Sequence, residues 1–313
     1  MADLAFWAVD IDLDNIARAA EIIDPVFRDT PQYVDEQLCA ALGRRVLVKV
    51  ETTNPLRSFK GRGADFLAST LPAGQPVVCA SAGNFGQAVA YAGRNHGFPV
   101  EVFVSDRAVP DKVRRMRLLG AVVHEVPGDF TGAKAVARAH AAETGAVFVE
   151  DGREPAVCEG AGTIAVELLR AGVSLDSVVV PLGDGALITG MARWLKHHSP
   201  HTRVVGVCAE GAPALAHAWA GRVWDGPVWD GPVDTIADGI AVRVPVPESV
   251  TRVRELVDDV VLVSDDAIRA AADLALRTLG LVLEPAGAAG LAGLVAHDLP
   301  GETTATVLTG SNV

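Results

Sequence analysis

The feature that most constrains this chain is a unit repeated between residues 76 and 149: a short β-branched run, a break, then a helix-like stretch. Residues 76–80, 100–104, 121–126 and 146–149 read as buried strands, and 85–95, 111–119 and 131–144 as the helices between them. Strands separated by helical crossovers pair in parallel, because each crossover returns the chain to the same end of the sheet. A second series follows, with helix 159–171, strand 177–181, helix 187–198 and strand 203–209, then helix 265–279 and strand 304–308. The strand at 46–50 finds no partner in the first series and is expected in the second sheet. Residues 12–28 read as an amphipathic helix with Ile16, Ala19, Ala20, Ile23 and Val26 on one side, ended by Asp29-Thr30-Pro31. The expected fold class is α/β with two open parallel-sheet domains: a small one at 75–152 and a larger one made from 1–74 and 153–313.

Length and charge bound the rest. At 313 residues the chain can bury two cores. A formal net charge of −12 and the lack of a basic cluster argue against a nucleic-acid partner. The four cysteines, Cys39, Cys79, Cys158 and Cys208, lie far apart in apolar surroundings without metal-like spacing, which reads as free thiols in a reducing compartment. Met1-Ala2-Asp3-Leu4 lacks the basic start of a signal peptide and no apolar run reaches membrane-spanning length, so a cytoplasmic protein off the membrane is expected. Residues 210–250 look irregular. They contain a tandem duplication, Val223-Trp224-Asp225-Gly226-Pro227 and Val228-Trp229-Asp230-Gly231-Pro232, which reads as a loop, either tucked onto the core or facing a substrate.

Chemistry collects at strand ends. After the strand at 46–50, Asn54-Pro55 makes a turn, and Ser58-Phe59-Lys60-Gly61-Arg62-Gly63 brings a lysine ahead of a helix. Read alone, Lys60 is an ordinary surface lysine; held in a desolvated turn it can act as a Schiff-base nucleophile. Ser81-Ala82-Gly83-Asn84 opens a helix and offers N–H groups and side-chain donors to an anion, though the same residues also suit a plain helix cap. Gly183-Asp184-Gly185-Ala186-Leu187 is another strand–loop–helix junction suited to a phosphate, with neither a Walker loop nor a dinucleotide spacing. Gly160-Ala161-Gly162-Thr163-Ile164-Ala165 fits the dinucleotide pattern formally, but residues 151–159 separate it from the preceding strand. Glu284-Pro285-Ala286-Gly287 opens a small-residue helix, and the strand at 304–308 ends in Thr309-Gly310-Ser311-Asn312. A lysine, an anion cradle, a phosphate cradle and a hydroxyl, all at strand ends, suit an aldehyde cofactor that carries a phosphate.

In these stretches, taken in order with Thr30-Pro31, Lys49-Val50-Glu51, Glu159-Gly160-Ala161-Gly162-Thr163 and Ala237-Asp238-Gly239-Ile240-Ala241-Val242, the chain resembles the fold-type II pyridoxal-phosphate enzymes. Within them it is similar to the threonine/serine dehydratase and serine racemase group, from about Ile16 to the last residue. The resemblance implies that Lys60 is the catalytic Schiff-base lysine and cofactor anchor. It implies that Phe59 and Gly239 flank the pyridine ring, that Asn84 meets the ring hydroxyl, and that Thr309 meets the ring nitrogen. Gly183, Asp184, Gly185, Ala186 and Leu187 would bind the phosphate of pyridoxal 5′-phosphate, and Ser81, Ala82, Gly83, Asn84 and Phe85 the substrate carboxylate. The implied reaction is β-elimination from a β-hydroxy-α-amino acid such as L-threonine or L-serine, giving a 2-oxo acid and ammonia. The alternatives are a β-replacement synthase and a non-catalytic ligand-binding homologue. A homodimer is implied by the family alone.

The departures are specific. Racemases of the group carry a second serine where this chain has Ala82, which disfavours racemisation. Dehydratases usually carry histidine at the position of Phe85, so the substrate pocket is expected to differ in shape. Asp184 stands in a normally all-glycine run, and a carboxylate beside a phosphate is repulsive unless its side chain turns away. The relatives' divalent-cation site needs a carboxylate six residues after the position of Glu210; here that residue is Ala216, and no metal is expected. The chain stops without the regulatory domain of biosynthetic threonine dehydratases, so feedback by isoleucine is not expected.

Overall fold

Capping residues set the first boundaries. In this computed structural model, which describes residues 10–221 and 231–313, Asp12 accepts a hydrogen bond from the Asp14 N–H and starts α1 (Leu13–Ile22). The helix is shorter than the 12–28 expected from its periodicity. Asp24 and Pro25 open a separate 3-10 turn, and Val26 is 38% exposed instead of joining the apolar face. The chain continues through β1 (Gln32–Val34), α2 (Glu36–Leu42), β2 (Arg45–Val50) and α3 (Lys60–Thr70). Next come β3 (Val77–Ala80), α4 (Asn84–His96), β4 (Val100–Ser105), α5 (Pro110–Leu118), β5 (Val122–Val126), α6 (Phe130–Thr144) and β6 (Val147–Val149). The remainder runs α7 (Pro155–Arg170), β7 (Ser177–Pro181), α8 (Ala186–His198), β8 (Arg203–Ala209), α9 (Ala214–Trp219), α10 (Pro247–Leu256), β9 (Asp259–Val263), α11 (Asp265–Leu279), α12 (Pro285–Ala296) and β10 (Thr303–Leu308).

Two sheets result. One has four parallel strands in the order β5-β4-β3-β6; the other has six in the order β1-β2-β10-β7-β8-β9. β2 does lie in the second sheet, parallel to β10. β1 is the exception to the parallel expectation: it pairs antiparallel with β2, because α2 and the left-handed Gly43 turn the chain straight back instead of carrying it across the sheet. The stretch read as irregular at 210–250 holds α9 and the start of α10, and β9 forms the far edge of the large sheet. Most of the tryptophan duplication, residues 223–230, lies outside the described residues.

Close helix packing explains the glycine pattern at 160–165. α7 starts at Pro155, so Gly160 and Gly162 sit inside it, where α3 and α8 cross. A Cβ on Gly160 would lie 2.4 Å from the Arg62 carbonyl oxygen, and one on Gly190 of α8 would lie 1.9 Å from that of Cys158. These glycines serve backbone approach between helices. Phe27 and Tyr91 meet edge-on, with ring centroids 5.3 Å apart, and join α1 and α3 to α4 in one buried cluster with the faces of β3 and β4. The cysteines are all free, with Cys79, Cys158 and Cys208 buried. Among the described residues no helix is long and apolar enough to cross a membrane.

Candidate active site

The carboxyl ends of β2, β10 and β7 meet that of β3 across one cavity of about 680 Å³. Parallel sheets place loops from neighbouring strands side by side at this edge, where ligands of open α/β folds bind. Every site residue singled out in the sequence lines it: Phe59 and Lys60, the turn at 81–85, the loop at 183–187, Gly239 and Thr309.

The lysine turn is built by Asn54. Its amide donates to the carbonyl oxygens of Glu51 (2.9 Å) and Ser58 (3.1 Å), and its side-chain oxygen accepts from the Leu56 N–H at 3.0 Å. The Phe59 N–H donates to the Thr309 carbonyl at 3.1 Å, which ties the turn to the end of β10. Lys60 is the first residue of α3. Its Nζ pairs with the Asp151 carboxylate and lies 4.5 Å from the centroid of the Phe59 ring.

Behind the lysine lies a buried ionic cluster. Arg62 is fully buried and donates to Glu51 at 2.8 and 2.9 Å, to Glu167 at 2.7 and 2.9 Å, and to Thr163 at 2.9 Å. Lys49, also fully buried, pairs with Glu167 and donates to the Thr30 carbonyl at 2.7 Å. Burial alone would raise the Glu167 carboxyl, but the hydrogen bonds and charge of Arg62, helped by Lys49, bring it down to about 2. At Lys49 the balance goes the other way: burial lowers the ammonium more than Glu167 and Glu51 raise it. Two cations thus need both carboxylates, and the cluster fixes α3 against β2 and α7 two residues beyond Lys60.

On the opposite wall, Ser81, Ala82 and Gly83 lead into α4, whose N-terminus takes no side-chain cap among the described residues, which leaves its first N–H groups for a ligand at the cavity wall. Asn84 does not cap the helix either. Its amide donates to Glu284 at 2.6 Å, and its side-chain oxygen accepts from the Asn312 amide at 2.8 Å. The Asn312 N–H donates to the other Glu284 oxygen at 3.2 Å, and Arg115 donates to the Asn312 side-chain oxygen. Burial raises the Glu284 carboxyl, opposed by the Asn84 hydrogen bond.

The third wall is the 183–185 loop. Gly185 is left-handed (φ 90°), and α8 begins after it without a side-chain cap. Ser249 Oγ donates to the Asp184 carbonyl at 2.6 Å. The Asp184 carboxyl is pushed up to about 7, first by burial and then by the neighbouring Asp151 carboxylate, while Lys60 and Lys134 oppose the shift. Sequence reasoning missed Asp151, Glu284 as a partner of Asn84, and the ion pair between Lys112 and Asp238, which spans the cavity mouth from α5. Only the position of Asp151 just past the end of β6 could have flagged it.

Two parallel-sheet α/β domains with a lysine, two uncapped helix N-termini and a buried hydroxyl on one cavity define the class of a cofactor-dependent α/β enzyme. The family profile described as pyridoxal-phosphate dependent enzyme matches residues 23–310, and the chain belongs to that family. It is similar to the biosynthetic L-threonine dehydratase of Pasteurella multocida, with 35% identity over 292 residues, covering 91% of this chain and 56% of that one. It is also similar to the L-threonine ammonia-lyase of Geobacter sulfurreducens, with 36% identity over 279 residues and 87% and 68% coverage. The chain therefore spans little more than half to two thirds of these relatives. Among solved structures, the T.th. threonine deaminase superposes with a TM-score of 0.89 at 33% identity, covering 96% of this chain and 98% of that one.

The residues present fit the family's cofactor. Lys60 supplies a primary amine, the 183–187 loop a cradle of backbone N–H groups, and Thr309 and Asn84 neutral donors. The cradle is closed to larger residues: a Cβ on Gly183 would lie 3.0 Å from the Gly239 carbonyl oxygen.

Proposed function

We propose that this chain is a pyridoxal-phosphate-dependent ammonia-lyase acting on a β-hydroxy-α-amino acid, with L-threonine or L-serine as the simplest substrates. The observation that carries this is the convergence of Lys60, the 81–85 turn and the 183–187 loop on one cavity. The names of the similar dehydratase and ammonia-lyase support the substrate class.

When bound, the cofactor supplies the electron sink that weakens the substrate Cα–H bond. In this reading Phe59 and Gly239 wall its two flat faces, Asn84 and Thr309 offer hydrogen bonds to its ring, and the backbone from Gly183 to Leu187 holds its phosphate. The Ser81 hydroxyl and the N–H groups at the start of α4 hold the substrate carboxylate, which fixes Cα against Lys60. Lys60, anchor and base, takes the Cα proton. Thr309 is a neutral donor, so it leaves a ring nitrogen without a full positive charge, which favours expulsion of the β-hydroxyl over longer-lived carbanion chemistry. Ala82 carries no proton, so the far face of Cα lacks an acid and racemisation is disfavoured. Phe85 replaces a polar group with an apolar one where the substrate side chain enters.

The same reading takes residues 75–152 as a small domain set against a large one formed by 1–74 and 153–313, in a cytoplasmic homodimer that sedimentation velocity would test. The activity is tested by 2-oxo acid release from L-threonine and L-serine, with Lys60→Ala as the control. Release of 2-oxo acid by the native chain alone supports the proposal. Equal release by the variant overturns it.

A further inference from the structure

Asp184 stands where a phosphate-binding loop is least suited to a carboxylate, and Asp151 stands beside the lysine that anchors the cofactor. The two belong to one cluster. The 150–153 turn packs directly onto the loop: a Cβ on Gly152 would lie 2.1 Å from the Asp184 carbonyl oxygen and 3.2 Å from its Cβ. Asp151 pairs with Lys60 through Oδ2, while its Oδ1 is buried with no hydrogen-bond partner among the described residues, in a side chain only 10% exposed.

The other charges facing the pair are accounted for. Glu150 is held by Lys134, Arg138 and Arg153, Arg252 pairs with Asp10 and donates to the Gly152 carbonyl, and Arg107, Asp129 and Arg243 line the same cavity. From α10 the Ser249 hydroxyl reaches Asp184, at its carbonyl. At the mouth, Asp238 is paired with Lys112. Lys60 is the cation paired with Asp151, and with Lys134 it opposes the rise of the Asp184 carboxyl. A dianionic phosphate in the same wall would add more negative charge at low local dielectric, and like-charged groups in one site relieve that cost by keeping a proton.

We propose that Asp184 retains a proton when a phosphate occupies the 183–187 loop, so that this chain takes up a proton as it binds its cofactor. The inference rests on the reading that this loop holds the phosphate. The neutral carboxyl supplies a donor for the orphan Asp151 oxygen or for a phosphate oxygen, which turns a repulsive residue into a hydrogen-bonding one. The burial and the Asp151 charge that already raise Asp184 in the free protein act in the same direction. Above neutrality the free protein has lost this proton and the complex keeps it, so affinity falls as pH rises.

The test uses 4′-deoxypyridoxine 5′-phosphate, which carries the ring and phosphate but cannot bond to Lys60, and its unphosphorylated form, both titrated by protein fluorescence. Between about pH 7.5 and 9, where the ligand phosphate stays dianionic, the native chain is expected to lose roughly tenfold in affinity per pH unit. Asp184→Asn and Asp184→Gly are expected to give a flat profile and to bind the phosphorylated ligand more tightly than the native chain at the upper end. A flat native profile overturns the proposal, as does a slope that persists in both variants. If phosphorylated and unphosphorylated ligands bind alike at every pH, the phosphate assignment of the loop fails instead, and the proposal with it.

Discussion

Replacing Glu167 by glutamine removes one of two carboxylates from a cluster that holds two buried cations. Arg62 and Lys49 would then share Glu51, and neither can reach water, since both are fully buried. The Glu167 carboxyl is held down at about 2 against an ordinary 4.5, which corresponds to about 3 kcal/mol. That agrees with the roughly 3–5 kcal/mol lost when one partner of a buried pair is removed. Urea unfolding followed by circular dichroism at pH 7 is expected to show this loss in Glu167→Gln. Because the native carboxyl is lowered, its contribution is complete above the ordinary carboxylate range and disappears as pH falls from about 4.5 toward 2. The native and variant stabilities should therefore converge in acid. The double variant Lys49→Met/Glu167→Leu, which removes a cation with the anion, should recover most of the loss. A Glu167→Gln cost below about 1 kcal/mol, or parallel acid curves, would refute the reasoning.

Two further predictions concern packing and the Asn84 network. Gly190→Ala places a carbon 1.9 Å from the Cys158 carbonyl oxygen and is expected to cost about 3 kcal/mol or more in urea unfolding, whereas Gly83→Ala, with nothing within 4 Å of the added carbon, should leave stability unchanged. Glu284→Ala removes the acceptor of the Asn84 amide and should weaken cofactor binding about tenfold in a fluorescence titration, while Glu284→Gln, which keeps an acceptor, should stay within about threefold.

The sheet order was not written in the chain, but the elements that build it largely were. Parallel strands buried on both faces are near-continuous apolar runs, and β3, β4, β7 and β8 read as such. The 81–85 turn, the 183–187 loop and Thr309 were legible for a related reason: each follows directly on a strand end, where the chain turns into the cavity. What escaped notice depends on partners distant in sequence. α9 is only six residues long, and α10 follows a Val-Pro-Val-Pro stretch that hides its start. The Asp151–Lys60 and Asn84–Glu284 contacts join segments whose local patterns carry no trace of each other. Lys49, set in the run Val46-Leu47-Val48-Lys49-Val50, was the readable sign of a buried ion cluster, since a lysine in a central strand needs an internal carboxylate. The formal dinucleotide pattern at 160–165, set aside because it stands apart from the preceding strand, has another cause: glycines admit a backbone neighbour as readily as a phosphate.

The most direct test of the central claim is the absorbance spectrum of the purified chain with pyridoxal 5′-phosphate, recorded for the native protein and for Lys60→Ala and followed after addition of L-threonine. The account expects a visible-edge band in the native protein that is absent in the variant, changes on adding L-threonine, and is accompanied by 2-oxo acid. A native spectrum identical to that of Lys60→Ala would contradict it.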